Sequence, residues 1–205
     1  ILMPKSAKII QLLQRFVEDE EESRGYLLTK MPLVAKSNLY KISGHWDHYK
    51  DNMYFTTIDE KNYAVKPMNC PGGILIYKNT MYSYRDLPLR MGELGLVHRH
   101  ELSGALHGLM RVRNFTQDDA HLYLTPEQIR EEVLGVISLT DHIYKLFGFN
   151  YRVELSTKPE NSMGSDEDWE NATEALRDAL EAANLPYKIN EGDGAFYGPK
   201  IDFHL

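Results

Sequence analysis

Residues 97–121 constrain the fold of this chain more than any other stretch. They read Val-His-Arg-His-Glu, then Leu-Ser-Gly-Ala-Leu-His-Gly-Leu-Met, then Arg-Val-Arg-Asn-Phe-Thr-Gln-Asp-Asp-Ala-His. The pattern is two strand-like arms around a glycine-containing loop. Side chains alternate along a strand, so Arg99, Glu101 and Arg111 are expected on one face of a hairpin. Two guanidinium groups on one face make a fork for phosphate or carboxylate. Phe115 adds a flat surface for a base. Together they are suited to holding a nucleotide triphosphate. The bland alternative for Arg99 and Glu101 is a cross-strand ion pair, which stabilises little at a surface.

Length and charge narrow the classes. The 205 residues suit one domain with room for a small appendage. A net charge of −7 argues against a surface that grips nucleic acid all over. A local basic patch remains open, because Arg85, Arg90, Arg99, Arg111 and Arg113 lie close in sequence. Cys70 is the only cysteine, which excludes an intramolecular disulfide and suits a reducing compartment. No signal peptide or apolar run of spanning length is visible, so the expectation is a soluble, cytoplasmic protein with no membrane partner. The chain starts at Ile1, and an apparent strand from Lys200 runs into Leu205, so it reads as a piece of something larger.

Periodicity predicts helices over 6–21, from Pro71 onward with Ile74, Leu75 and Tyr77, over 126–147 and over 167–183. Ile9, Ile10, Leu13, Phe16 and Val17 share a face of the first. Ile129, Val133, Val136, Ile137 and Ile143 form the expected buried stripe of the third. Thr125 with Gln128 forms a capping box there, and Ser165 caps the fourth. Strands are expected over 26–31, 54–58, 63–66, 151–156, 187–190 and 200–205, with a turn at 59–61. Residues 42–52 read as a polar, aromatic segment. Hairpins outnumber crossovers, so the fold class is α+β, with a mainly antiparallel sheet flanked by helices.

Other residues carry chemistry with alternatives beside them. Cys70 and His121 suit zinc, though a lone cysteine is more often a small buried hydrophobe. Asp118-Asp119 suits Mg²⁺, an amine or simply a turn. His45 and His48 flank Trp46, and either is a proton shuttle or part of a solvated loop. Residues 192–198 are glycine-rich without the ending of a P-loop or the spacing of a dinucleotide fingerprint. They read as a loop closely approached by a ligand, with Tyr197 and Lys200 as polar handles.

Several segments together resemble the catalytic domain of the threonyl-tRNA synthetase family, within the class II aminoacyl-tRNA synthetases. They are Gly25–Pro32, Ser43-Gly44-His45-Trp46, Lys66-Pro67-Met68-Asn69-Cys70-Pro71-Gly72, Tyr84–Arg90, Leu106–Arg111, Gln117-Asp118-Asp119-Ala120-His121 and Gly194–Asp202. The resemblance covers nearly the whole chain as one partial catalytic domain, 1–205. Residues 5–34 resemble motif 1, the family's usual dimer element, and 96–119 resemble motif 2. No editing or anticodon-binding domain is recognised in these residues.

The resemblance implies activation of L-threonine with ATP to threonyl-adenylate, then transfer to the 3′ end of tRNA(Thr), in a homodimer. It implies that Arg99 bridges the α-phosphate and the threonine carboxylate, and that Glu101 sits at adenine. Phe115 stacks on the base, Arg111 holds the triphosphate, and Gln117 lines the pocket on the ATP side. Met68, Asp119, Tyr197 and Lys200 belong to the threonine side, Asp119 accepting from the hydroxyl and Tyr197 contacting the amine. His45 acts near the terminal ribose. Cys70 and His121 ligate Zn²⁺, and Mg²⁺ accompanies ATP. The family's third zinc ligand, a histidine, and motif 3 are placed beyond Leu205, with His204 as a poor substitute. Gly73 stands where the family usually shows histidine. Two other readings stay open: a synthetase-like module that binds nucleotide or amino acid without charging tRNA, and a sister class II enzyme for serine or proline.

Overall fold

A computed structural model describes residues 2–205. The chain divides into two compact units, Ile1–Tyr123 and Leu124–Leu205.

The first unit opens with α1 (Pro4–Ser23), whose proline sits in the first turn, where no helical N–H partner is lost. Its apolar face forms as the periodicity predicts but is only partly covered: Ile9 is 59% exposed and Ile10 and Leu13 are each 38% exposed, while Phe16 and Val17 are half-buried. The secluded residue of α1 is Glu21, at 2%. The strand expected over 26–31 shrinks to β1 (Leu27–Leu28): past Thr29, whose N–H donates to Gly92 O, the Met31 N–H goes to the Glu93 side chain and not to a ladder carbonyl. β2 (Val34–Lys36) follows. The polar segment over 42–52 is partly helical: α2 (Asn38–Ile42) and α3 (His45–Tyr49) are two short helices, joined through Gly44 at φ +77 and followed by a 3-10 turn.

β3 (Phe55–Ile58) and β4 (Lys61–Val65) form a hairpin paired Ile58 to Lys61. The two residues between them, Asp59 and Glu60, both have positive φ, as a tight hairpin turn with the strands' own twist requires. β2 flanks β4 antiparallel. α4 (Cys70–Lys78) begins one residue before the expected proline. β5 (Leu89–His98) and β6 (Asn114–Tyr123) pair antiparallel through ten rungs, and β1 runs parallel to β5.

In the second unit α5 (Ile129–Leu146) continues a short 3-10 turn at Pro126–Gln128. Gln128 Oε1 accepts the Thr125 N–H at 2.9 Å, as the capping box predicts. Of the expected stripe only Ile137 is fully buried, and Val136 faces outward. β7 (Arg152–Ser156) is the central strand, α6 (Asp166–Ala182) follows, then β8 (Tyr187–Asn190) parallel to β7 and β9 (Lys200–His204) antiparallel to it. Ser165 caps α6: its Oγ accepts the Asp168 N–H at 3.1 Å, and Asp168 Oδ2 accepts the Ser165 N–H at 3.2 Å. Ile137, Val153, Leu155, Ala179 and Leu180 form this unit's core.

The α+β class and the antiparallel bias stand. Among the described residues the strands form three ladders of three, β1-β5-β6, β2-β4-β3 and β8-β7-β9.

Candidate active site

The β5–β6 hairpin organises the site through alternation. Phe115, Gln117, Asp119 and His121 fall on one face of β6, and opposite them on β5 lie Val97, Gly95, Glu93 and Met91. Those four β6 side chains are half-buried, while Thr116 and Asp118 on the other face are exposed.

The segment from Lys66 to α4 covers the first face. Lys66 Nζ lies 2.7 Å from Glu93 Oε1, which also accepts the Met31 N–H at 3.1 Å. Asn69 Nδ2 donates to Asp119 Oδ2 at 2.8 Å. Cys70, Asp119 and His121 each place one donor atom within 4.8 Å of the others. Burial pushes the Cys70 thiol above its ordinary value, reinforced by the nearby Asp119 carboxylate and partly opposed by Arg99. A Cβ at Gly73 would meet His121 Nδ1 at 3.2 Å, so any side chain there presses on the imidazole. Met68 is half-buried among Lys30, Met31, Lys66, Gly72 and Leu75, around a cavity of about 270 Å³.

The other face of the hairpin belongs to α1. The Glu21 carboxylate lies against Gly92, where an added Cβ would approach Oε2 to 2.8 Å, and it shares a hydrogen bond with Asp118. Lost hydration and the neighbouring acid push Glu21 up to about 8, and Asp118 is raised as well.

The arginines depart from the expected arrangement. β5 ends at His98 and β6 begins at Asn114, so Arg99, Glu101 and Arg111 lie in the connecting loop, not on alternating strand positions. They are held by other means. Arg99 Nε donates to Pro67 O at 3.1 Å, and its guanidinium lies over the rings of Phe115 (5.2 Å) and Tyr49 (5.7 Å). Arg111 Nη2 donates to Glu101 Oε2 at 3.0 Å. Arg113 Nε donates to Glu101 O at 2.9 Å. The pairing of Glu101 with Arg111 is thus a loop contact; with Glu101 buried and Arg111 exposed, it fixes the loop more than it stabilises the fold.

His45 is 8% exposed, at the start of α3, with Nδ1 2.9 Å from Ser43 Oγ. Burial and His48 hold it below the ordinary imidazole range. This corrects the solvated-loop alternative for His45.

Tyr197 and Lys200 belong to the second unit. Tyr197 packs edge-on against Phe196. Lys200 Nζ sits between Asp193 Oδ2 (3.3 Å) and Asp202 Oδ2 (3.0 Å), which raise its pKa despite its partial burial. Ser156 Oγ donates to Asp202 Oδ2 at 2.6 Å. His204 Nε2 lies 3.3 Å from Glu154 Oε2.

Sequence reasoning passed over Glu21, Lys66, Asn69, Glu93 and Gly95 as individual residues. The available signal was glycine inside β5, at 92 and 95, since a glycine in a strand interior marks close approach by another group.

Residues 54–205 match the family described as tRNA synthetase class II core domain (G, H, P, S and T). The chain belongs to this family. Its resemblance to the class II core is also close in sequence to particular members. A threonine–tRNA ligase of Caldanaerobacter subterraneus subsp. tengcongensis is 67% identical over 202 residues, covering 98% of this chain and 31% of the relative. One from Clostridium botulinum is 67% identical, covering 98% of this chain and 32% of the relative. The chain therefore spans about a third of the length of these relatives. The crystal structure of the RNA binding domain of threonyl-tRNA synthetase from Cryptosporidium parvum Iowa II superposes with a TM-score of 0.92 at 43% identity, covering 99% of this chain and 51% of that one. No helix among the described residues is long and apolar enough to cross a membrane.

Proposed function

We propose that this class II core is the catalytic segment of a threonine–tRNA ligase, activating L-threonine with ATP and passing the threonyl group to tRNA(Thr). The observation that carries the reading is the convergence of Cys70, Asp119 and His121. A thiol and an imidazole at this spacing suit Zn²⁺ by donor chemistry, and the Asp119 carboxylate lies beside them, within reach of whatever the ion would present. The partial chain, residues 1–205, is read as one catalytic domain, with the motif 1 region as the element that pairs two copies.

Cys70 and His121 would hold the ion. When bound, zinc supplies a Lewis acid able to recognise a vicinal amine and hydroxyl. Valine, nearly isosteric with threonine, offers no hydroxyl, and a site built to bind one discriminates far better than an apolar pocket. Asp119 accepts from the hydroxyl, with Met68 also on the threonine side. Arg99 bridges the carboxylate of threonine and the α-phosphate, where charge builds as the carboxylate oxygen attacks and pyrophosphate departs. Phe115 stacks on adenine, Glu101 accepts from its amino group, Arg111 holds the triphosphate with its Mg²⁺, and Gln117 lines the cleft. His45, kept neutral at physiological pH, is suited to accept a proton near the terminal ribose during transfer.

Threonine-dependent exchange of pyrophosphate into ATP tests the reading in the complete ligase. Exchange stronger with threonine than with serine, which also offers a vicinal amine and hydroxyl, and absent with proline at equal concentration supports it. Exchange specific for serine or proline would transfer the chain to a sister enzyme, and none with any of the three would make it a binding module.

A further inference from the structure

Asn69 stands immediately before α4 and is 1% exposed. Its amide lies so close over Gly95 that a methyl group at position 95 would overlap its nitrogen, oxygen and carbon together. Glycine inside a strand sacrifices packing and chain entropy, so its presence in β5 needs a local reason. The Asn69 amide is that reason. Nδ2 donates to Asp119 Oδ2 at 2.8 Å, and Oδ1 is buried with no hydrogen-bond partner among the described residues. A half-satisfied amide in a closed place costs free energy that an apolar side chain would not. What it does that an apolar side chain cannot is hold one oxygen of a carboxylate.

We propose that Asn69 is a positioning residue for amino-acid recognition, pinning Oδ2 of Asp119 so that the other oxygen is presented to the substrate hydroxyl, with Gly95 as the notch that admits the amide. This rests on the reading of Asp119 as the acceptor of the threonine hydroxyl. A carboxylate free to turn must be ordered by each arriving substrate, whereas a pinned one is already ordered. The benefit falls on the β-hydroxy amino acid and not on ATP. It also explains why residue 69 takes its place through a glycine opposite rather than through its own neighbours in sequence.

Two substitutions separate the donor from its position. Asn69→Leu removes the donor; Gly95→Ala keeps it but evicts the amide. In pyrophosphate exchange by the complete ligase, each should raise KM for threonine about tenfold, with KM for ATP within about twofold. Asn69→Leu added to Asp119→Ala should change KM for threonine no further, because a positioning residue has no effect once its target is gone. Should Asn69→Leu fail to fold, Asn69→Ala removes the same donor without added bulk. An unchanged threonine KM, a parallel rise in both KM values, or additivity in the double variant would overturn the proposal while threonine-dependent exchange by the parent leaves the reading of the site standing. A parent inert toward threonine would bring down that reading and this one with it.

Discussion

Lys66 and Glu93 meet at 2.7 Å in a place nearly closed to water, each side chain 5% exposed. Desolvating two charges is repaid only while both are present, so removing one strands the other. Lys66→Met should lower unfolding free energy by about 3–5 kcal/mol, and Lys66→Met with Glu93→Leu should lower it less. Urea denaturation of the three proteins measures this; a loss below about 1 kcal/mol in Lys66→Met would mean the pair is solvated in solution.

Glu21 and Asp118 set a second, pH-dependent contribution. The folded chain holds a proton on Glu21 up to about pH 8, whereas the unfolded chain releases it near 4.5. The folded state therefore binds more protons between those values, and this contribution to stability falls as pH rises through the window. Glu21→Gln should flatten that slope and raise Tm relative to the parent at pH 8, with little difference at pH 4.5. Parallel Tm profiles for the two proteins would show that the pair shares no proton.

Cys70 supplies the only thiol available to a metal. Loading with Co²⁺ should give a thiolate charge-transfer band that Cys70→Ser abolishes, and zinc content after purification should fall in the same variant. Unchanged stoichiometry would remove Cys70 from the ligand set.

Arg99 is fixed by the Pro67 carbonyl and stacked on two rings, so its guanidinium is already placed before substrate arrives. Arg99→Ala should reduce the kcat of exchange by about 10²–10³, as loss of one preorganised donor to a developing charge does, with Tm within a few degrees of the parent. Retained exchange would refute its role at the α-phosphate.

How much of this could be read in advance follows from the range of each interaction. The Ser165–Asp168 and Thr125–Gln128 caps are three residues long, and short-range chemistry is visible in a string. The second hairpin arm was expected as strand-like, and alternation, a local property of strands, then brings Phe115, Gln117, Asp119 and His121 to one face, although that shared face was not itself foreseen. Arg99, Glu101 and Arg111 were placed on strands because nothing in their spacing reveals that the ladder's strands stop at His98 and resume at Asn114. Asn69, Glu93 and Glu21 were not legible: their partners arrive from distant segments, and only packing chooses them. Gly73 belongs to the same group. As a departure from the family pattern it had no evident cause, yet it lies where a side chain would crowd His121.

β6 assigns its duties by parity. A ring, an amide, a carboxylate and an imidazole face the pocket only while odd-numbered positions keep phase with β5. One residue deleted or inserted within Asn114–Tyr123 would turn the side chains beyond that point to the opposite face and put their even-numbered neighbours in their place. This strand can therefore accept many changes of letter but none of length.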